Sequence, residues 1–213
     1  MSKYPIFLEM AGRRAVVIGS GPVAIRKTEA LIEAGARVVI VSDAIDDVLA
    51  AQLQNPNVEL IRSKYSKNYL AGATIAIAAT NNPQINKQIY QDCQQLEILC
   101  NVVDSPELCD FFVPALVKRG DLQIAVCTEG SCPAYAGHIR GKLESIFTQK
   151  HGEFLRELET LRKWIIENIL DDTERKVILG KLVDDESFDY FVKNGAELWH
   201  QRAQKIIREK SAQ

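Results

Sequence analysis

Apolar and polar positions divide the chain into two regimes. Up to about residue 110, short β-branched runs alternate with stretches of helical periodicity, and beyond Gly152 only helical spacing remains. Ala15 to Ile18 and Arg37 to Val41 read as buried strands on either side of a helical pattern that runs to Gly35. Ala44 to Leu53 reads as a short helix, Asn55-Pro56-Asn57 as a turn and Val58 to Ile61 as a third strand. Ala73 to Ala79 and Ile98 to Val103 are further strands, separated by a helix over Gln84 to Gln95 with Ile85, Ile89 and Cys93 on one face. Strands alternating with helices predict an α/β fold with a doubly wound parallel sheet. The apolar lead-in from Lys3 to Gly12 is expected to pack against the sheet's first edge.

The second regime begins with two β-rich runs, Phe111 to Val117 and Leu122 to Cys127, joined by Lys118-Arg119-Gly120-Asp121 as a hairpin or closely paired strands. A polar turn, Thr128 to Pro133, then leads into a helix that runs to about Lys150, with Ser131 or Cys132 near its N-cap. Phe154, Leu155, Leu158, Leu161, Ile165 and Ile169 recur at helical spacing, as do Phe188, Phe191, Val192, Leu198, Trp199, Ile206 and Ile207. The predicted organisation is therefore residues 1–110 as the doubly wound domain, 111–150 as a strand pair plus helix, and 151–213 as a helical domain.

The first strand–helix–strand unit carries recognisable chemistry. A Gly-x-Gly-x-x-Ala turn (Gly19, Gly21, Ala24) leaves the first strand, and Asp43 stands just past the second. Gly19 permits the tight turn, Gly21 lets backbone approach a pyrophosphate, and Ala24 allows close helix–strand packing. The helix N-terminus would face the phosphates with free N–H groups. Asp43 can accept from both ribose hydroxyls, and it repels a 2′-phosphate by up to ~4 kcal/mol per charge at 4 Å and an effective dielectric near 20. NAD is therefore expected over NADP. Thr80-Asn81-Asn82-Pro83 and the end of the fifth strand, Asn101 and Asp104, fall at the same ligand-binding edge.

Composition narrows the function classes. The chain has 213 residues, 46% hydrophobic and 25% charged, with a net charge of −2, so it has no global basic field for nucleic acid. No apolar run approaches membrane-spanning length and the start does not read as a signal peptide, which predicts a cytoplasmic enzyme without a membrane partner. Cys93, Cys100, Cys109, Cys127 and Cys132 are an odd set without a Cys-x-x-Cys pair, and read as reduced thiols. His138, His151 and His200 have no metal-ligand spacing, so no resident metal is expected.

The stretch Asn101-Val-Val-Asp104-Ser-Pro-Glu-Leu-Cys-Asp-Phe111, together with the Gly-Ser-Gly-Pro-Val-Ala-Ile-Arg-Lys turn, resembles the siroheme synthase N-terminal family. Tyr4-Pro5-Ile6-Phe7-Leu8, Ala-Ala-Thr80-Asn81-Asn82-Pro83, Phe112-Val-Pro-Ala and Cys127-Thr-Glu-Gly-Ser-Cys-Pro133 share that pattern, and the likeness covers roughly residues 3 to 150. Members act as precorrin-2 dehydrogenase, and some also as sirohydrochlorin ferrochelatase. The resemblance implies an NAD-binding Rossmann domain, a β-rich dimerisation segment and a C-terminal helical domain. It implies NAD-dependent oxidation of precorrin-2 to sirohydrochlorin, and a homodimer formed around the hairpin.

By the same resemblance Gly21, Pro22, Val23, Asp43 and Ala44 would hold the cofactor, with Thr80, Asn101 and Val102 lining its nicotinamide half. Asp104 matches the family's functionally important aspartate and could accept the proton lost from the macrocycle or stabilise the developing cation. The substrate is a polycarboxylate, for which Lys118, Arg119, Arg140 and Lys142 could supply basic contacts, and Thr128 and Ser131 hydroxyls. Where many relatives carry Ser-Ser-Gly-Gly-Thr-Ser-Pro, Glu129 adds a negative charge beside the expected mouth. Fe2+ would be a substrate if the chain also chelates, with Asp104 and His138 as the candidates. No methyltransferase domain is read in these residues, so precorrin-2 is expected to come from elsewhere. A reading of another class, an NAD-sensing regulatory domain, needs only the nucleotide fold.

Overall fold

Strands β1 (Arg14–Ile18), β2 (Arg37–Val41), β3 (Val58–Ile61), β4 (Ile75–Ala78) and β5 (Leu99–Val102) form one parallel sheet in the order β3-β2-β1-β4-β5. The structure is a computed structural model describing residues 3–210. Helices α1 (Pro22–Glu33), α2 (Asp47–Gln52) and α3 (Pro83–Gln95) make three of the crossovers, and a 3₁₀ turn, Lys67–Leu70, lies between β3 and β4. The α/β doubly wound reading holds. The order reverses between β1 and β4, which opens a crevice beyond their carboxyl ends.

Both faces of the sheet are covered, which is why its strands read as unbroken apolar runs. On one face Val17, Val38, Ile40 and Ile77 pack with Ala24 and Leu31 of α1. On the other, Val16, Ile18, Val39 and Val41 pack with Ile89 and Cys93 of α3. Ala15, Val16, Val17 and Val41 have no exposed surface at all.

The lead-in differs from expectation. Only Met10 is buried, whereas Tyr4, Ile6, Phe7 and Leu8 are exposed. Residues 3–9 belong to no strand, Lys3 Nζ lies 5.1 Å from the centre of the Phe112 ring, and the Gly12 N–H donates to the Gly35 carbonyl at 2.9 Å while its own carbonyl accepts from Arg37 Nε.

Backbone packing groups residues 114–213 into a second unit. It opens with an antiparallel hairpin, β6 (Ala115–Arg119) and β7 (Leu122–Val126), in which Arg119 pairs with Leu122. Lys118 and Arg119, read from sequence as part of the connection, belong to the strand. A two-residue turn with Gly120 at φ 60° suffices, because that handedness matches the strand twist.

Helix α4 (Pro133–Ile146) ends before the expected Lys150, and α5 (Gln149–Asn168) starts afresh from a Thr148–His151 capping box in which His151 Nδ1 accepts the Thr148 N–H. Helices α6 (Asp172–Leu182) and α7 (Asp185–Lys210, kinked at Gly195) complete a core of Phe154, Ile165, Ile178, Leu182, Phe191 and Trp199. Val192 and Leu198, assigned by spacing to that buried face, are 47% and 44% exposed and flank it instead. Among the described residues no helix is long and apolar enough to cross a membrane.

Candidate nucleotide-binding site

A crevice of about 590 Å³ lies where the strand order reverses, walled by the turns after β1, β2, β3 and β4. Gly19, Gly21, Asp43, Ala44 and Thr80 all line it, so five residues marked in the sequence converge. Gly19 has φ 118°, and a β-carbon there would overlap the carbonyl oxygen of Ala79 on the adjacent chain segment. Its glycine requirement therefore comes from β1–β4 proximity as well as from the turn. Gly21 precedes α1 with an unstrained extended backbone, and a β-carbon there would meet nothing within 4 Å, so the space above the helix end is open.

No side chain caps α1 and no acidic residue occupies its first turn. Its free N–H groups and positive dipole end are left for an anion, which is the chemistry a pyrophosphate requires. Pro22 and Val23 stand in that first turn but do not line the crevice. Ser20 and Ser42, which sequence reading passed over, share a 2.9 Å hydroxyl contact that ties the first two turns together beside exposed Asp43.

Thr80 is held by a residue that carried no evident motif. Its hydroxyl donates to Asn86 Oδ1 at 2.6 Å, and Asn86 Nδ2 returns a bond to the Thr80 carbonyl at 3.0 Å. Asn86 is 7% exposed, and a nearly buried amide on an otherwise polar helix is explained by this contact. Asn82 serves as the N-cap of α3, its side chain accepting from the Gln84 and Ile85 N–H groups. The far wall includes Tyr65 and Gln88, both bonded to the buried Asp92 carboxylate at 2.8 and 3.0 Å. Burial and the Asp92 contact push the Tyr65 phenol far up, so it remains a neutral donor.

Asn101 and Val102 are buried in β5 and do not line the crevice. Asn101 spends its side-chain amide on internal contacts, donating to the Phe111 carbonyl at 2.9 Å and to Cys109 Sγ at 3.4 Å. Asp104 follows, exposed, with φ 60°, a left-handed conformation that costs an ordinary side chain about 1–2 kcal/mol and that aspartate tolerates better than most. Lys27 on α1 is half-buried, and its amine is pushed below the usual lysine range by desolvation first and by Arg26 second.

The remaining marked residues belong to the second unit. Arg119 is committed to backbone, its Nε donating to the Phe147 carbonyl at 2.7 Å and its other nitrogens to the Lys118 and Glu144 carbonyls. Arg140 faces Glu144 at 3.9 Å, Lys118 is exposed on β6, and Ser131 is exposed in the turn before α4. Thr128 Oγ1 accepts from the N–H of Cys132 at 3.4 Å, and Cys132 stands at the N-cap position of α4 without a side-chain capping bond. His138 stacks on Tyr135, with ring centroids 6.2 Å apart.

Comparison with known proteins fits this geometry. The family described as putative NAD(P)-binding matches residues 6–115, and the one described as sirohaem biosynthesis protein central matches residues 119–146. The siroheme synthase of Psychrobacter arcticus is 35% identical over 156 residues, which cover 73% of this chain and 28% of that protein. That of Pseudomonas putida strain W619 is 38% identical over 153 residues, 72% of this chain and 33% of that protein. That of Thioalkalivibrio sulfidiphilus is 30% identical over 207 residues, 97% of this chain and 42% of that protein. The matched region thus spans well under half the length of these curated relatives. The solved structure titled SirC, precorrin-2 dehydrogenase, shares the fold with a TM-score of 0.78 at 22% identity, covering 95% of this chain and 100% of that one. With its fingerprint turn, its crevice and a match across half its length, the chain belongs to the putative NAD(P)-binding family.

Proposed function

We propose that the chain catalyses NAD-dependent oxidation of precorrin-2 to sirohydrochlorin, a step toward siroheme or related tetrapyrroles. The observation that carries this reading is the uncapped α1 N-terminus with Asp43 lining the same crevice, in a chain whose relatives are siroheme synthases. Gly19 and Gly21 would let the phosphates approach, with Pro22 and Val23 in the helix turn behind them. Asp43 and Ala44 would take the adenosine ribose, and the Asp43 carboxylate would favour NAD over NADP. Bound there, NAD would supply the hydride acceptor.

Thr80 would stand beside the nicotinamide half, with Asn86 fixing the direction of its hydroxyl. Asp104 would take the proton that the macrocycle gives up, from an exposed position at the carboxyl end of β5. Lys118, Arg140, Thr128 and Ser131 would meet substrate carboxylates, while Arg119 braces the hairpin. The half-exposed two-stranded sheet, with Leu116 outward, supports a homodimer built on that hairpin.

Anaerobic incubation with precorrin-2 and NAD, followed by nicotinamide absorbance, tests the reading. Turnover that drops at least 100-fold in Asp104→Ala, with NAD binding kept, is expected. NAD binding without any oxidation by the unaltered chain overturns the enzyme assignment in favour of a sensor. Ferrous iron added afterwards reports any chelation through the siroheme spectrum, and light scattering reports the dimer.

A further inference from the structure

Beyond β5 the chain leaves the sheet, passes Asp104 and a short 3₁₀ turn, Pro106–Leu108, and returns to pair Asn101 with Cys109 in an isolated antiparallel bridge. Backbone bonds from the Ser105 N–H to the Val102 carbonyl at 3.3 Å and from the Asp110 N–H to the Cys100 carbonyl at 2.8 Å close the loop between them, and one sulfur joins its two sides. Cys109 Sγ accepts from the Asn101 side-chain amide at 3.4 Å and from the Val102 N–H at 3.3 Å. Its single proton can go to the carbonyl of Val102 at 3.2 Å or of Ser105 at 3.3 Å. Burial pushes this thiol up, so it keeps the proton and can act as donor and acceptor together.

Two more ties bracket the loop. The Val103 N–H is held by the Ala78 carbonyl of β4 at 3.0 Å, and the Asp110 carboxylate accepts the Cys100 N–H at 2.8 Å. Between these fixed ends Asp104 alone adopts a left-handed backbone, a conformation that persists only when its surroundings over-determine it.

We propose that the Asn101–Cys109 clasp is a positioning element that holds Asp104 in its left-handed conformation, so that its carboxylate is presented at the sheet's ligand edge. This rests on the reading of Asp104 as the proton acceptor. Cys109 touches neither the crevice nor the fingerprint turn, so its role is to set a direction and to leave cofactor binding alone. Alanine at this position leaves the Asn101 amide and the Val102 N–H without their shared acceptor. Serine keeps a donor and an acceptor but on a shorter bond.

The test compares Cys109→Ala, Cys109→Ser and the Cys109→Ala/Asp104→Ala double variant in the full chain. Two readouts are taken: the Asp104 HN–Hα coupling, which reports its φ, and kcat with the NAD dissociation constant. Expected are a changed coupling and a kcat at least tenfold lower in Cys109→Ala, NAD affinity within twofold, partial recovery in Cys109→Ser, and no further loss in the double variant. An unchanged coupling, or a loss that adds in full to that of Asp104→Ala, overturns the proposal. Should the unaltered chain show no oxidation, the functional reading fails, and the coupling by itself still decides whether the clasp sets Asp104. If Cys109→Ala does not fold, Cys109→Ser carries the same two readouts.

Discussion

Gly19 and Ala79 lie so close that a β-carbon on the glycine would overlap the alanine carbonyl oxygen, which makes the first fingerprint position a packing constraint between β1 and β4. Gly21, two residues on, faces open space. The two glycines therefore separate by experiment. Gly19→Ala should lower the melting temperature by several degrees, since each kcal/mol moves a chain of this size by roughly 2–4 °C. Gly21→Ala should melt like the parent yet bind NAD at least tenfold more weakly. Calorimetry with and without nucleotide reads both, and equal melting losses for the two would contradict the division of roles.

Asp43 is exposed at the end of the crevice that would take a ribose. Asp43→Ser should weaken NAD and strengthen NADP, narrowing their affinity ratio by tenfold or more, because it removes an acceptor for the 2′-hydroxyl and a repulsion against a 2′-phosphate together. Titration with both nucleotides checks this, and an unchanged ratio would place the ribose elsewhere.

Lys27 carries a pH prediction. Desolvation holds its folded pKa below the unfolded value, so between the two the unfolded chain binds more protons and stability rises with pH. The cost of burying the charged amine is full below the folded value and fades as pH rises through it. Lys27→Met should therefore raise the melting temperature near neutrality, by an amount that shrinks toward alkaline pH. A loss of stability on this substitution would show that the amine has a partner worth more than its desolvation.

In the helical unit, the Trp199 indole N–H donates to the Ser187 hydroxyl at 2.9 Å, and both residues are 1% exposed. Ser187→Ala strands that donor and should cost about 1–3 kcal/mol in urea-induced unfolding. Ser187→Thr, which keeps the hydroxyl, should recover part of it if the added methyl is accommodated.

The parallel sheet was readable from residue order because strands covered on both faces must be apolar throughout and must be spaced by helices. The fingerprint was readable too, since only glycine serves at φ 118° in Gly19, and Asp43 stands at a fixed remove along the chain. Turn chemistry was partly legible. Pro83 marks the start of α3, but whether Asn82 met a ligand or its own helix depended on where its side chain turned.

Local pattern thus determined the strands of the parallel sheet and the nucleotide turn, because periodicity and glycine conformation act over a few residues at a time. Tertiary structure decided the rest. It turned Asn101 inward to Cys109 and Phe111, set Asn86 behind Thr80, spent Arg119 on the Phe147 carbonyl, and left Tyr4, Ile6 and Phe7 exposed. A polar side chain satisfies itself with the nearest partner that the folded chain brings within about 3 Å. Asn101 with Cys109 and Phe111, and Thr80 with Asn86, are brought together by a loop or turn, whereas the Phe147 carbonyl reaches Arg119 from a distant element, and spacing along the sequence does not carry its position.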